Sequence, residues 1–376
     1  MTASYLFIDD DVSPVDGDRN AEGGDAEAYS RALIGASEGK LSIAPLRPGK
    51  LADVLRTITE TEPDGLILDV SFVNAGEDAI AYDGITLAQQ VRTLQTRSRL
   101  KNFPIVRLSK RDVVREYVAG DTTSDDLFDE RIEKELVADH RQETVEKLLS
   151  LAADYPELET FSGGDRSAES IADLLGINQE RLAQIDPRSL LGLQREVPVH
   201  NLAQYLSVAF LQRPGILIDE ELLAIRLGVD LARSPGWQSV KDALTDAVYR
   251  GAFSKGYPRF WMFAVADWWA EKTDKSLKRT DAPERVELLT SRFGLTNLTP
   301  IADNTDSPGR GYWHKCVETG LPVDPSEGFP LVDQLGHEPW QDTDYICREQ
   351  AMRQARTHRR LRPAERQRAL SARPQK

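Results

Sequence analysis

Apolar and polar positions follow two textures along the chain. Up to about residue 150, short apolar runs alternate with stretches of helical spacing. The runs Tyr5–Ile8, Leu41–Leu46, Leu66–Leu68, Pro104–Leu108 and Leu127–Ile132 predict five strands. Between them, 24–37, 50–60, 84–94, 111–118 and 140–153 predict helices; Leu51, Val54, Leu55 and Ile58 share one face of the second. Pro63-Asp64-Gly65 marks a turn. Strands separated by helices imply an α/β fold, a doubly wound five-stranded parallel sheet covered on both faces.

Beyond Tyr155 the strand signals stop. The segments 166–186, 199–212, 219–233, 238–249, 260–273 and 282–293 predict helices, broken at Pro187, Pro214-Gly215, Pro235-Gly236, Gly256, Pro258 and Gly294. Phe260-Trp261-Met262-Phe263 and Trp268-Trp269 read as core aromatics. Residues 311–347 are irregular and rich in Pro, Gly and Trp. The expected division is 1–153, an α/β domain; 154–300, a mainly α-helical effector domain; 301–347, an irregular segment packed on it; and 348–376, a basic tail.

Composition narrows the class. A chain of 376 residues suits two or three domains, and 40% hydrophobic with 29% charged residues describes a globular protein. No apolar window reaches the roughly 18 residues of a membrane span. Two cysteines, Cys316 and Cys347, make no disulfide framework, so the expected compartment is the cytoplasm. A net charge of −14 argues against a general nucleic-acid coat. The exception is 348–376, with ten Arg and Lys against two Glu, expected as a solvated tail.

The chemistry gathers at one end of the expected sheet. Ligands of doubly wound folds bind beyond the carboxyl ends of the strands. There Asp9 and Asp10 end the first strand, Asp69 the third and Ser109 the fourth, and Lys134 follows the fifth. Three carboxylates at one edge repel one another and call for a cation. Oxygen ligands with open water positions suit Mg²⁺. A phosphoryl group on Asp69 would add negative charge for the metal and an ammonium group to neutralise, and the Ser109 hydroxyl can donate to it.

The runs Phe7-Ile8-Asp9-Asp10, Leu66-Ile67-Leu68-Asp69, Asp83-Gly84-Ile85-Thr86-Leu87-Ala88 and Pro104-Ile105-Val106-Arg107-Leu108-Ser109 resemble the successive motifs of bacterial two-component response-regulator receiver domains. The resemblance covers about two fifths of the chain. It implies a receiver (flavodoxin-like) fold, Mg²⁺ held by Asp9, Asp10 and Asp69, and phosphorylation of Asp69 by a histidine kinase or phosphotransfer protein. It also implies that Ser109 and a lysine read the phosphorylated state; Lys134 is preferred over Lys110. The chain departs from the family in its long loops after Asp10 and over 72–82. No Pro follows Lys134, and Arg131 stands where an aromatic residue is common. These departures leave open a degenerate receiver that serves as a non-phosphorylated scaffold.

The output is less legible. The favoured reading is a helical protein-interaction effector, not an enzyme. Ser167–Ile185, with Ala172 and Gly176 four apart, has the spacing of a helix-turn-helix, and 223–229 matches it less well. The alternative is therefore a DNA-binding regulator presenting Asn178, Gln179, Arg181 and Gln184. Few basic residues surround the motif, so nucleic acid is not favoured. A third class, an enzyme housed in 300–347, rests on His314, Cys316, His337 and Cys347, whose spacing matches no standard zinc pattern.

Overall fold

The computed structural model describes residues 2–13, 24–72, 80–110, 126–195, 197–303, 309–332, 337–353 and 360–371. The expected helix 111–118, most of the 72–82 loop and the loop after Asp10 lie outside these residues. The N-terminal elements run β1 (Ala3–Ile8), α1 (Asp25–Ala36), β2 (Leu41–Leu46), α2 (Leu51–Thr61), β3 (Gly65–Leu68), α3 (Gly84–Thr96), β4 (Ile105–Ser109), β5 (Glu130–Glu133) and α4 (Arg141–Gly163). The strands form one parallel sheet in the order β2-β1-β3-β4-β5. This is the flavodoxin-like order, whose direction reverses between β1 and β3.

Successive side chains of β1 leave on opposite faces. Leu6 and Ile8, with Leu66, Leu68 and Ile105, pack against Val54 and Ile58 of α2 and Leu87 and Val91 of α3. Tyr5 and Phe7 are also buried. The Tyr5 hydroxyl donates to the Leu148 carbonyl of α4 at 2.7 Å, and α1 and α4 pack together. The sheet is thus wound on both sides, as the alternation of run and helix predicts.

In this sheet and its closing helix two expectations change. The fifth strand was predicted over 127–132, but the ladder pairs Val106–Ser109 with Glu130–Glu133. Leu127 and Phe128 are buried in the core before the strand begins, so their apolarity marks packing and not pairing. The closing helix was predicted to stop at Ala153 and instead continues to Gly163 through Pro156. Tyr155, Leu158 and Phe161 extend its buried face.

The chain forms two compact units. The first comprises Met1–Leu182, Leu190–Val208 and Arg250–Tyr257; the second comprises Ala183–Ser189, Ala209–Tyr249 and Pro258–Lys376. Compactness therefore divides the chain differently from the boundary expected at residue 153. A buried polar network explains why the first unit reaches further. Arg92 of α3 forms an ion pair with Asp129 at 2.6 Å, both almost wholly buried. Asp129 also accepts from the Tyr155 hydroxyl at 2.7 Å and the Ile105 amide at 2.7 Å. Arg92 donates further to the carbonyls of Leu127 and Phe103. Tyr155 belongs to the α4 extension, so that extension is anchored on the sheet. Ser207 reaches the Asp129 carbonyl at 3.3 Å, and Tyr257 bonds Glu130 of β5.

In the same unit the expected helix-turn-helix resolves as Ala168–Leu174 followed by a helix of four residues, Gln179–Leu182. Gly176 has φ +64°, and a Cβ there would lie 2.4 Å from the Arg250 carbonyl carbon. The small residue serves a close approach within the unit. Asn178 accepts the Arg181 amide at 2.9 Å and so caps the short helix.

The second unit is helical with small β ladders. Ala282–Phe293 matches its prediction: Asp281 accepts the Glu284 amide and Gly294 closes the end in the left-handed region. Phe260 and Trp261, expected to open a helix, instead pair with Leu217–Ile218, and the helix starts at Met262. Trp261 and Trp269 are buried. The irregular stretch contains the antiparallel pairs His314–Lys315 with Pro322–Val323 and Phe329–Pro330 with Tyr345–Ile346. Asp324 organises its rigid turn, accepting from the amides of Gly311 (2.8 Å) and Ser326 (2.9 Å). The described part of the basic tail is docked: Ala351, Leu361 and Ala369 are buried in a cluster with Phe329 and Leu331. The Arg368 guanidinium lies 4.1 Å from the Phe329 ring centroid. Among the described residues, no helix is long and apolar enough to cross a membrane.

Removing one partner of a buried ion pair leaves an uncompensated charge. Asp129→Ala is expected to lower unfolding stability by about 3–5 kcal/mol. Asp53→Ala, at the exposed Arg56 pair, should cost no more than about 1 kcal/mol. Urea denaturation of both variants checks the contrast, and similar costs would refute it.

His200 adds a pH dependence. Its Nδ1 is buried without a hydrogen-bond partner. Burial, then the Arg92 charge, push its pKa down to about 4, against about 6.5 in an unfolded chain. Between these values the unfolded chain takes up a proton that the folded chain refuses. Stability is therefore lost as pH falls through that window. Stability curves of wild type and His200→Gln should run parallel above pH ~6.5 and diverge below it; parallel curves throughout would place the acid sensitivity elsewhere.

Candidate functional site

Register brings the acidic groups together. Ile8 pairs with Leu68 in the parallel ladder, so the residues that follow, Asp9 and Asp69, leave the sheet at the same level. The Asp69 amide donates to the Ile8 carbonyl at 3.0 Å. This is the β1/β3 reversal, where neighbouring connections diverge and open a crevice. Asp9, Asp10 and Asp69 each offer an oxygen within 4.8 Å of the others. Ser109 ends β4 opposite Glu133, and Lys134 follows directly.

Lys134 is the hub. Its ammonium donates to Asp9 Oδ2 at 2.7 Å and to Asp69 Oδ2. Burial opposes its charge, but the carboxylates of Asp69 and Asp9 outweigh burial and raise its pKa. Asp9 is fully buried; burial, with the Asp69 charge, raises its carboxyl pKa against the pull of Lys134. Lys110 plays no such part: its ammonium meets Asp25 at 3.4 Å on the surface. All five expected groups converge, and the lysine among them is Lys134.

Asp69 is held by its own turn. Oδ1 accepts from the Ser109 hydroxyl (2.8 Å) and from the amides of Val70 (2.6 Å) and Ser71 (3.4 Å). The Val70 amide also reaches Ser109 Oγ at 3.0 Å. The Asp69 side chain keeps 11% of its surface exposed, whereas Asp9 and Ser109 are sealed. Asp69 thus combines a fixed orientation with some access from outside, which Asp9 lacks.

The Asp83-Gly84 pair has a structural purpose. Asp83 caps α3 by accepting the Thr86 amide at 2.7 Å. The Gly84 amide donates to the Val70 carbonyl. A Cβ on Gly84 would lie 1.8 Å from the Asp69 carbonyl oxygen, so no side chain fits. The pair seats the start of α3 against the turn that follows Asp69.

No protein-family model and no curated protein matches the chain. Solved structures match its N-terminal part. The N-terminal region has the receiver fold. A response regulator receiver domain (CheY-like) from Methylobacillus flagellatus is 16% identical, covering 36% of this chain and 87% of that one with a TM-score of 0.24. The receiver domain of the Francisella response regulator 1452 is 18% identical, covering 39% and 97%, with a TM-score of 0.25. NtrX from Brucella abortus is 17% identical over 49% of this chain and 34% of that one, with a TM-score of 0.30. At such identities these are likenesses of fold, and strand order and register carry the assignment.

The zinc set considered from sequence does not assemble. Among the described residues, only Asp9, Asp10 and Asp69 gather in a metal-ligating group. His314 stacks on Tyr345 with ring centroids 4.2 Å apart, and His337 Nε2 is bonded to the Asp342 carbonyl. Sequence reasoning missed the Arg92–Asp129–Tyr155 network. Its signal was an arginine on the inward face of α3, directly after Val91 and three residues before Gln95.

Three carboxylates face one ammonium here, an arrangement that suits a hard divalent cation. Mg²⁺ titration, followed by calorimetry or by NMR shifts of the pocket residues, is expected to give one saturable site at millimolar concentration. Asp69→Asn should weaken it severalfold. No saturation, or equal binding by the variant, would reject the site.

Proposed function

We propose that the chain is a cytoplasmic signalling protein in which a histidine kinase or phosphotransfer protein phosphorylates Asp69. The observation that supports this is the convergence of Asp9, Asp10, Asp69, Ser109 and Lys134 at the carboxyl edge of the sheet. Asp9, Asp10 and Asp69 are the residues that would hold Mg²⁺, which supplies positive charge against the phosphoryl oxygens when bound.

The chain's own groups divide the remaining work. A carboxylate oxygen of Asp69 attacks phosphorus, and the bond from phosphorus to the donor's nitrogen or oxygen breaks. Val70, Ser71 and Ser109 hold Oδ1, so the attacking oxygen is Oδ2, which Lys134 contacts. Once Asp69 is an acyl phosphate its carboxyl group no longer carries the charge that fixed Lys134. The ammonium then turns to a phosphoryl oxygen while Asp9 retains its other side. The Ser109 hydroxyl is likewise released from Asp69 Oδ1 and donates to the phosphoryl group. Charge-assisted hydrogen bonds of this kind shift a two-state equilibrium in the segments that carry them.

The output in this reading is protein interaction by the helical region, without catalysis of its own. The DNA-binding alternative is weakened by the four-residue second helix and its close approach to Arg250.

Acetyl phosphate is expected to add one phosphoryl group to wild type and none to Asp69→Ala, by intact mass. Equal labelling of both would remove Asp69 as the acceptor. Labelling of neither would favour a scaffold that no longer accepts phosphate.

A further inference from the structure

The second unit brings together two cysteines 31 positions apart. Cys316 follows the strand pair residue Lys315 and opens a turn closed by the Gly320 amide on its carbonyl. Cys347 follows the Tyr345–Ile346 strand and starts the helix Arg348–Arg353. Cys316 bridges Tyr345 in parallel, and the Val317 amide donates to the Tyr345 carbonyl at 3.0 Å. The two segments therefore run side by side. The Cys347 amide donates to Cys316 Sγ at 3.3 Å. Both sit in one apolar cluster with Val323, Phe329 and Ile346, and neither is in a disulfide.

An apolar cluster ordinarily keeps a thiol protonated and inert. Cys316 differs because donors surround its sulfur: the Cys347 thiol first, with the Thr319 hydroxyl and the amides of Cys347 and Glu318. Against burial they bring its pKa down to about 5. A thiol whose pKa is lowered in this way ionises more readily than an ordinary cysteine, and the side chain that donates to it is a second thiol. The exposures, 1% for Cys316 and 0% for Cys347, decide the oxidant. At these exposures a water-sized probe hardly reaches either residue, so the oxidant must be small and enters as the cluster around them opens.

We propose that Cys316 and Cys347 are a peroxide-oxidised pair that closes to an intrachain disulfide. The Cys316 thiolate attacks one oxygen of hydrogen peroxide and the O–O bond breaks. Hydroxide leaves and takes a proton to become water; Cys316 is now a sulfenic acid. The Cys347 sulfur attacks the Cys316 sulfur, the S–O bond breaks, and the departing oxygen leaves as water with the Cys347 proton. Two thiols lose two electrons in total and one peroxide becomes two waters. The bond ties the 314–323 ladder to the segment that carries the C-terminal helices.

The test uses the full chain, reduced, desalted and exposed to equimolar hydrogen peroxide, then alkylated under denaturing conditions. Wild type is expected to lose the mass of two hydrogens, to resist alkylation at both cysteines, and to yield one peptide linked through Cys316 and Cys347. Cys347→Ser should stop at a sulfenic acid on Cys316 that dimedone traps. The wild-type rate should stay flat between pH ~6 and ~8, whereas an ordinary thiol slows about tenfold per pH unit below its pKa. Alkylation of both cysteines after peroxide, bridging only between chains, or a rate that falls across that range would overturn the proposal. The wild-type readouts stand even where the variant fails to fold.

Discussion

Carboxylates crowded at one sheet edge repel, and the fold exists around the means of holding them there. The β1–β3 register forces Asp9 and Asp69 to the same level. Lys134 answers both, at the cost of burying an ammonium group. A buried charge is tolerated only when it is paired and hydrogen-bonded. That condition dictates where β5 must end, because Lys134 reaches Asp9 and Asp69 only from the residue after Glu133. It also dictates the turn after Asp69, where backbone amides and the Ser109 hydroxyl satisfy Asp69 Oδ1. One ammonium against three carboxylates leaves the edge negative, which is the chemical basis for reading it as a cation and phosphoryl site.

The opposite end of β5 carries the other demanding polar group. Asp129 immediately precedes the strand and is locked by Arg92, Tyr155 and the Ile105 amide. Four strand residues thus separate Asp129 from Lys134. Both ends of a short edge strand are fixed by buried charge, one by the candidate site and the other by the extension of α4. Glu130 adds a link to Tyr257. A shift of Lys134 is borne by a strand whose far end holds the segment following the sheet. The sheet and that segment accordingly belong to one compact unit.

The pocket was legible in the sequence because its residues sit at fixed offsets from apolar runs. Asp9, Asp69 and Ser109 each end a strand, and strand ends are read from hydrophobicity alone. Lys134 was harder, since β5 is polar and its apolar lead-in, Leu127-Phe128, packs without pairing. Its place after the expected fifth strand pointed to Lys134, but the pattern alone left Lys110 as a competitor. The α4 extension was illegible for a different reason. Pro156 reads as a stop, and the partner that holds Tyr155 in place, Asp129, is distant in sequence. Helix 282–293 was read correctly because its caps, Asp281 and Gly294, are local.

The same distinction explains the C-terminal region. Its order comes from contacts between segments that carry no periodic signal. Asp324 satisfies amides on both sides of a turn through one carboxylate, so Pro and Gly can dominate the surrounding chain without loosening it. Gly309 and Gly311 sit where a Cβ would approach Asp324, which is why small residues flank that segment. Arg226 donates to the Trp313 carbonyl and lies 4.7 Å from its ring centroid, while Arg285 donates to the carbonyl of Tyr312. Two arginines that look like surface charges in the sequence are buried and grip the backbone of the adjoining segment. Their five donors in a planar fork suit this task. A short apolar run would serve less well, because 311–316 has carbonyls to satisfy and little helix or sheet to satisfy them.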